Sequence, residues 1–471
     1  MILGDIADSL TRGVEAQVNT INEAFFEPVV RLGVTGLSRA GKTVFITSLV
    51  ANLLNRGRMP GLRAAAEGRI QSVWLQPQPD DTVPRFDYES HIACLTGATP
   101  DWPESTRSIS QLRLSFRVYP NGLLSGLTGP RTVHLDIVDY PGEWLLDLGL
   151  LEKSFDAWSA ETLTVLENRE DAADFLSRLK ALDPSAPLDE STAKSLAAAY
   201  TQALTAMRAA GYSDCTPGRF LLPGDMAGSP VLTFTPLPSG STPRGSLARE
   251  FHRRFDAYKQ KVVKPFFREH FTRIDRQVVL VDALGAIHNG PKAVEDMRKG
   301  LAAILTAFRP GQNAFLSRIF LGRRIEKILI AATKADHLHH TQHAQLAAIA
   351  EALLQDAKAR ADFAGAETHA LAMAAYRATT EDRITKDDRT LDMVRGVAMD
   401  SGKPVALFPG RLPEDPSRIL SPAAKGQDRW LDGDFNVMNF APQAFNLKSG
   451  DGPPHIRLDR AAEFLIGDRL R

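Results

Sequence analysis

Cysteine is almost missing from these 471 residues: only Cys94 and Cys215 occur. Two thiols build neither a disulfide framework nor a spaced zinc-binding set, so the fold rests on an ordinary apolar core, and a reducing compartment is the simplest setting. An excess of one charge sign is also missing. Lys plus Arg number 56 and Asp plus Glu number 56, so there is no global basic field and no nucleic-acid partner is expected. No run of eighteen or so apolar residues occurs, which argues against a transmembrane helix. The start, MILGDIADSL, lacks the basic region and long apolar run of a secretory signal. These absences predict a cytoplasmic protein and leave peripheral docking through a membrane partner open. No internal repeat is visible.

What is present is the composition of a globular protein, with 44% hydrophobic and 24% charged residues. The length allows roughly two to four domain-sized units, or one domain with large insertions. Ile6, Leu10, Val14, Val18, Ile21 and Phe25 form one helical stripe over residues 4–26. The opposite face carries Asp5, Asp8, Arg12, Glu15 and Glu23. It lacks the Lys and Arg of a membrane-surface helix, so docking on the protein's own body is expected.

Residues 29–35 read as a buried strand running into GLSRAGKT, residues 36–43. Residues 43–56 read as a helix with Phe45, Leu49, Leu53 and Leu54 inward. Residues 73–75 suggest a short strand. Residues 111–118 (QLRLSFRV) alternate as a half-buried strand does, and 132–138 form another strand that ends at Asp139-Tyr-Pro-Gly142. Helices follow over 151–166, 171–182 and 191–210, then loop over 213–245, then a helix striped by Phe251, Phe255, Tyr258 and Val262. Strands return at 277–281, 327–332 and 368–375, with helices at 291–308 and 341–360 between them. Residues 394–398 and 405–408 suggest a hairpin, and 456–470 a closing helix. Strand alternating with helix predicts an α/β fold: a mostly parallel sheet with helices on both faces and a large helical insertion.

The pattern G-x-x-x-x-G-K-[ST] at 36–43 has a physical reading. Glycines let the backbone wrap a phosphate, and successive N–H groups point inward at a helix start. Gly36, Ser38, Arg39, Ala40, Gly41, Lys42, Thr43 and Val44 are the candidate phosphate residues. Lys42 would reach the β- and γ-phosphates, and Thr43 would place its hydroxyl on Mg²⁺. Asp139 and Gly142 form D-x-x-G at a strand end, where the Asp would hold Mg²⁺ through water and the Gly N–H would sense the γ-phosphate. Thr333-Lys-Ala-Asp336 ends another buried strand. The Asp336 carboxylate would accept from both N1–H and the 2-amino group of guanine, a donor pair that adenine lacks. Lys334 would lay its stem on the base, and Thr333 stands where Asn is commoner. Ala375 and Tyr376 offer a backbone N–H to guanine O6. Thr106 is the first candidate for the mobile Mg²⁺ ligand, with Ser108 and Ser110 as alternatives.

The order of these motifs is that of a Ras-like P-loop G domain. It divides the chain into an N-terminal amphipathic helix (1–28), a first G-domain part (29–150), a helical insertion lobe (151–272), a second G-domain part (273–380) and a C-terminal hairpin with closing helix (381–471). The set GLSRAGKT, WPESTRSIS, DYPGEW, ATKADHLHH, AYRAT and PHIRLDRAAEFLIGDRL resembles the bacterial YcjX family of P-loop GTPase-like proteins over nearly the whole chain. The resemblance implies GTP or GDP as ligand and a link to envelope or phage-shock-type stress. It also fits the inner membrane as a place of peripheral docking through an unknown protein partner.

In Ras-like enzymes a Gln after D-x-x-G orients the attacking water; here that position is Glu143. A carboxylate accepts from water but repels a phosphate, so slow turnover is expected. Arg39 and Arg107 are candidates for supplying charge, with a solvated arginine as the alternative for each. The rival readings are an ATP-using P-loop enzyme and a non-catalytic scaffold stabilised by nucleotide. His337, His339, His340 and His343 cluster after the guanine motif. His339 and His343 have metal-ligand spacing, but the sequence shows no carboxylate or cysteine to complete a set, so no metal site is expected there. Trp144, Leu145 and Leu146 read as core, or as an apolar patch shown in one nucleotide state.

Overall fold

The computed structural model describes residues 27–36, 40–104, 108–121, 129–210, 212, 215–269, 273–308, 325–361, 365–386, 389–430 and 435–471. The helix expected over 4–26 lies outside them, as do Ser38, Arg39, Thr106 and Arg107.

Apolar runs with few charges make the central strands: β1 (Val29–Gly36), β2 (Ile70–Gln76), β3 (Ser110–Val118), β4 (Arg131–Asp139), β5 (Arg276–Val281), β6 (Lys327–Ala332) and β7 (Glu367–Ala372). They form one sheet in the order β2-β3-β4-β1-β5-β6-β7. The pairs from β4 through β1, β5 and β6 to β7 are parallel, and β2–β3 and β3–β4 are antiparallel. The short strand expected at 73–75 is the middle of β2.

Side-chain alternation splits the core into two layers. Val279 and Val281 of β5, with Ile328 and Ile330 of β6, join one apolar cluster. Val278, Leu280, Leu329 and Ala331 join the other. The second layer includes Phe45, Leu49 and Leu53 of the helix Lys42–Leu54, while Leu54 is half-buried. The first layer runs from the sheet through the helices Pro291–Ala307 and His343–Ala361 into the mainly helical stretch after β4.

That stretch contains the helices Phe155–Leu166, Ala173–Lys180, Glu190–Ala209 and Leu247–Tyr258. Leu196, Tyr200, Leu204 and Met207 are buried as their spacing predicts. So are Phe251, Phe255 and Tyr258. A π-turn, Lys259–Val263, links this last helix to Lys264–Glu269.

Strand β3 departs from expectation. Most of its alternating polar residues are buried, not solvated: Gln111, Arg113 and Ser115 lie inside, while Arg117 is exposed. Arg113 faces Asp136 in register and meets it at 2.6 and 2.9 Å, and Ser115 Oγ lies 2.8 Å from His134 Nδ1. Charged and polar partners on the neighbouring strand satisfy this face, which is what polar burial requires.

The expected hairpin supplies two strands of a three-stranded antiparallel sheet. Strands β9 (Arg389–Val397) and β10 (Pro404–Leu407) pair, and β8 (Thr380–Lys386) pairs with β9 on its other side. The segment TEDRITK holds a single large apolar residue, so its strand character is invisible to hydrophobic patterning.

The C-terminal region packs on the far end of the helix Lys42–Leu54 and on the segment after β7. In the last turn of that helix, Asn52 Nδ2 donates to Pro453 O at 3.0 Å. Ile456 and Ala374 exchange backbone bonds of 2.8 and 3.0 Å just beyond β7. The helix Leu458–Ile466 then caps the second core layer.

Candidate functional site

The parallel register sets the carboxyl ends of β1, β4, β5, β6 and β7 along one edge: Val34 lies opposite Asp139, Val281 opposite Ala332, and Ala332 opposite Ala372. Ligands of open α/β sheets bind at such an edge. Each sequence motif on described residues falls there.

At the candidate phosphate residues, Gly36 ends β1 and Gly41 caps the following helix with φ +79°, a conformation suited to glycine. Ala40 and Thr43 are buried, and Lys42 opens the helix. The Lys42 ammonium forms an ion pair with Asp139 Oδ1. Asp139 is 1% exposed, and its Oδ2 has no hydrogen-bond partner among the described residues. A buried, half-satisfied carboxylate beside the helix start suits a cation or its bound water.

Gly142 touches the other strand end. A Cβ placed there would lie 2.2 Å from the Gly36 carbonyl oxygen and 3.0 Å from Thr35 Oγ1, so only glycine fits. The turn Gly142–Leu146 is buried throughout, which makes Trp144, Leu145 and Leu146 core residues, as read.

Glu143 has a partner that sequence reasoning missed. Its Oε1 lies 2.8 Å from Arg208 Nη2, on the helix Glu190–Ala209. Arg39 and Arg107, the candidates for supplying charge, fall outside the described residues. The turn is held at further points by the helical stretch. The Arg219 guanidinium lies 3.2 Å from the centroid of the Trp144 ring, and Trp144 Nε1 donates to Leu222 O at 3.1 Å. Asp147 accepts from Gly218 N at 2.7 Å and from the Tyr258 hydroxyl at 2.5 Å. Burial pushes the Asp147 carboxyl up to about 7.

At the candidate base residues, Thr333 follows β6 and is buried. Lys334 has φ 60°, rare outside glycine, and its ammonium pairs with Asp282 at the end of β5. Asp336 is buried, and its Oδ2 accepts from Ala378 N at 2.8 Å. The Thr379 hydroxyl donates to the Asp336 carbonyl. This grip by Ala378 and Thr379 was also not foreseen. Ala375 is buried on the same loop, and its N–H meets no backbone carbonyl among the described residues. The Tyr376 side chain turns away, with its hydroxyl 3.0 Å from Leu95 O and 2.7 Å from Gln443 O, so only its backbone faces the loop. Ser110 is buried at the start of β3 and Ser108 lies just before it, leaving Thr106 outside the description.

The sheet order and the three motif loops on its carboxyl edge define the class: a Ras-like P-loop protein with added helical and sheet regions. The chain belongs to the YcjX-like family (DUF463), whose profile matches residues 30–470. It is 41% identical over 458 residues to the "Ras-like GTPase YcjX" of Escherichia coli K12, covering 94% of this chain and 96% of that protein. It is 39% identical over 468 residues to the "Ras-like GTPase YcjX" of Shewanella oneidensis MR-1, covering 94% of both. Among the described residues, no helix is long and apolar enough to cross a membrane.

Proposed function

We propose that this protein binds GTP and Mg²⁺, hydrolyses GTP slowly to GDP and phosphate, and acts as a nucleotide-dependent switch. The observation that carries the reading is the setting of Asp336. It is a buried carboxylate, oriented by Ala378 N–H, one residue beyond Ala335 and two beyond Lys334, on the same sheet edge as Lys42 and Asp139. The names of the two relatives support guanine nucleotide as the ligand.

The residues present fit the cation. The unsatisfied Asp139 Oδ2 and the Thr43 hydroxyl on the first helical turn are hard oxygen donors, and these two would hold Mg²⁺, with Thr106 as a third. Bound there, Mg²⁺ would neutralise charge on the β- and γ-phosphates. The chain's own residues do the rest. Lys42 leaves Asp139 to take the phosphates, and backbone N–H groups of the loop from Gly36 to Val44 cradle them. Gly142 N–H reports the γ-phosphate, and Asp336 selects the base.

Glu143 stands where a water-orienting Gln is usual. Its charge is compensated by Arg208, so it repels a γ-phosphate less than a bare carboxylate does, yet it donates no hydrogen bond to it. Slow turnover follows. We take 29–150 and 273–380 as the G domain and 151–272 as the lobe that receives the switch signal through Glu143, Trp144 and Asp147. The stress-response setting, and a protein partner at the inner membrane, rest on the family resemblance.

Displacement of a fluorescent GDP analogue tests the reading. GTP should displace it at concentrations where ATP does not. Equal displacement by ATP would overturn the base assignment. Single-turnover phosphate release then separates a slow enzyme from a non-catalytic scaffold, which would release none.

A further inference from the structure

The histidines after the guanine motif do not form the pair that their spacing suggests. His343 turns inward, with Nε2 2.8 Å from Ala335 O and 3.2 Å from Leu338 O, and is occupied there. His339 and His340 instead meet Glu381 of β8, a carboxylate 41 residues beyond His340. The expectation that no carboxylate completes a set is therefore corrected by the fold.

We propose that His339, His340 and Glu381 bind a divalent transition-metal ion of the zinc type, with water in the fourth position. Each residue offers one ligand atom, and these three atoms lie within 4.8 Å of one another. Glu381 Oε2 is 2.6 Å from His340 Nδ1 and 3.8 Å from His339 Nε2. Tetrahedral ligands at about 2.0–2.2 Å from an ion stand roughly 3.3–3.5 Å apart, so side-chain shifts of about 1 Å close the set. Two imidazoles and a carboxylate are the donor mixture that borderline cations prefer over Mg²⁺ or Ca²⁺.

The surroundings orient the donors. The side chain of His339 is 5% exposed, and its Nδ1 lies 3.0 Å from the Thr341 hydroxyl, which in turn lies 3.2 Å from Asp392 Oδ2. Read as Nδ1–H to Thr341 oxygen and Thr341 O–H to Asp392, this relay leaves the Nε2 lone pair facing Glu381. Metal-ligating histidines use such a relay on their second nitrogen. In the other tautomer Nδ1 accepts from the Thr341 backbone N–H at 3.4 Å, a longer bond that metal binding at Nε2 would give up for the 3.0 Å contact to the hydroxyl. Arg377 lies 3.6 Å from Glu381 Oε1, while the histidines meet Oε2. The His340 ring sits 4.3 Å from that of His339, and its side chain is 62% exposed, which gives an ion a route from solvent.

The site joins the loop that carries Asp336 to the strand that begins after Ala378 and Thr379, the two residues that grip Asp336. A bound ion ties both flanks of that carboxylate together. Metal binding stands without the nucleotide reading; only the effect on GTP affinity depends on it.

The test uses full-length protein, stripped with chelator and free of nucleotide. Zn²⁺ is titrated by calorimetry, and Co²⁺ by the visible bands of its tetrahedral complex. We expect one equivalent at micromolar affinity or better, undisturbed by millimolar Mg²⁺, with a rise in Tm. His340→Ala and Glu381→Gln, on the exposed side of the cluster, should each weaken binding at least about tenfold, and Thr341→Val by roughly tenfold through the relay. Circular dichroism and unchanged chelated-state Tm show that the variants fold. No saturable Zn²⁺ binding, or binding of equal affinity in wild type, His340→Ala and Glu381→Gln, would overturn the site and leave a hydrogen-bonded cluster. Metal binding with unchanged GTP affinity would keep the site and remove its effect on Asp336. Loss of GTP binding under every condition, with Zn²⁺ still bound, would count against the nucleotide reading alone.

Discussion

Arg208 and Glu143 meet at 2.8 Å and so join the helical stretch to the turn that follows Asp139–Gly142. Glu143 is buried, while the Arg208 side chain is 31% exposed, so the pair is partly screened and worth less than a fully buried one. Removing Arg208 alone leaves a carboxylate near the proposed γ-phosphate position without compensation. Arg208→Ala is expected to weaken GTP-analogue binding by about 5- to 30-fold relative to GDP. In Arg208→Ala with Glu143→Gln, the preference should return, a coupling of roughly 1–2 kcal/mol. Equal losses for GDP and GTP analogue, with no coupling in the cycle, would mean that the pair serves packing only.

Lys42 and Thr43 separate two kinds of loss. Both Lys42→Ala and Thr43→Ala should abolish Mg-nucleotide binding. Only Lys42→Ala also leaves the buried Asp139 carboxylate without its cation, at a cost of up to about 3 kcal/mol in the nucleotide-free protein. Its Tm should fall by a few degrees more than that of Thr43→Ala. Thermal scans without nucleotide decide the matter; equal Tm values would discount the Lys42–Asp139 pair.

Asp336→Asn exchanges a double acceptor for one acceptor and one donor, which matches xanthine better than guanine. GTP affinity should drop by about 2–4 kcal/mol, and XTP should gain in relative terms. The Ala378 N–H can still be accepted by the amide oxygen, so the fold should persist. An unchanged GTP:XTP ratio would remove Asp336 from the base site.

Asp147 carries a pH signature. Burial raises its carboxyl from 3.8 to about 7. The folded state therefore holds a proton that the unfolded chain releases near pH 4. The stability this group contributes is complete below about pH 4 and is lost as pH rises to about 7. The slope within that window is at most about 1.4 kcal/mol per pH unit. Asp147→Asn retains an acceptor for Gly218 N–H and does not titrate. The Tm of the variant relative to wild type should rise by several degrees between pH 5 and pH 7.5; a constant difference would show that Asp147 is ionised throughout.

Much of this architecture was legible because its signals are local. The run KILIAA before Thr333 reads as a buried strand on its own, and GLSRAGKT carries both its turn glycines and its helix start. What escaped reading depends on register and on distant segments. Arg113 is buried because Asp136 lies opposite it on β4, and no pattern within β3 says so. Arg208 follows Met207 at the edge of a clear apolar stripe, and nothing in that helix names Glu143 as its partner. The charged segment TEDRITK becomes a strand through its pairing with β9, and only that pairing brings Glu381 to the histidines. Ala378 and Thr379 look like loop residues until Asp336 is folded against them.

The brace from Pro453 to Asn52 has a consequence for the order of assembly. Its two partners are 401 residues apart, and Ile456 bridges to Ala374 just beyond β7. During synthesis the phosphate-loop helix emerges long before the segment that supports it, and contacts of such sequence separation form late. A nascent chain therefore holds the first motif of the site while its base-facing loop is unmade and its brace untranslated. A chain released before residue 453 thus carries the helix Lys42–Leu54 without the contact that Pro453 makes to its last turn.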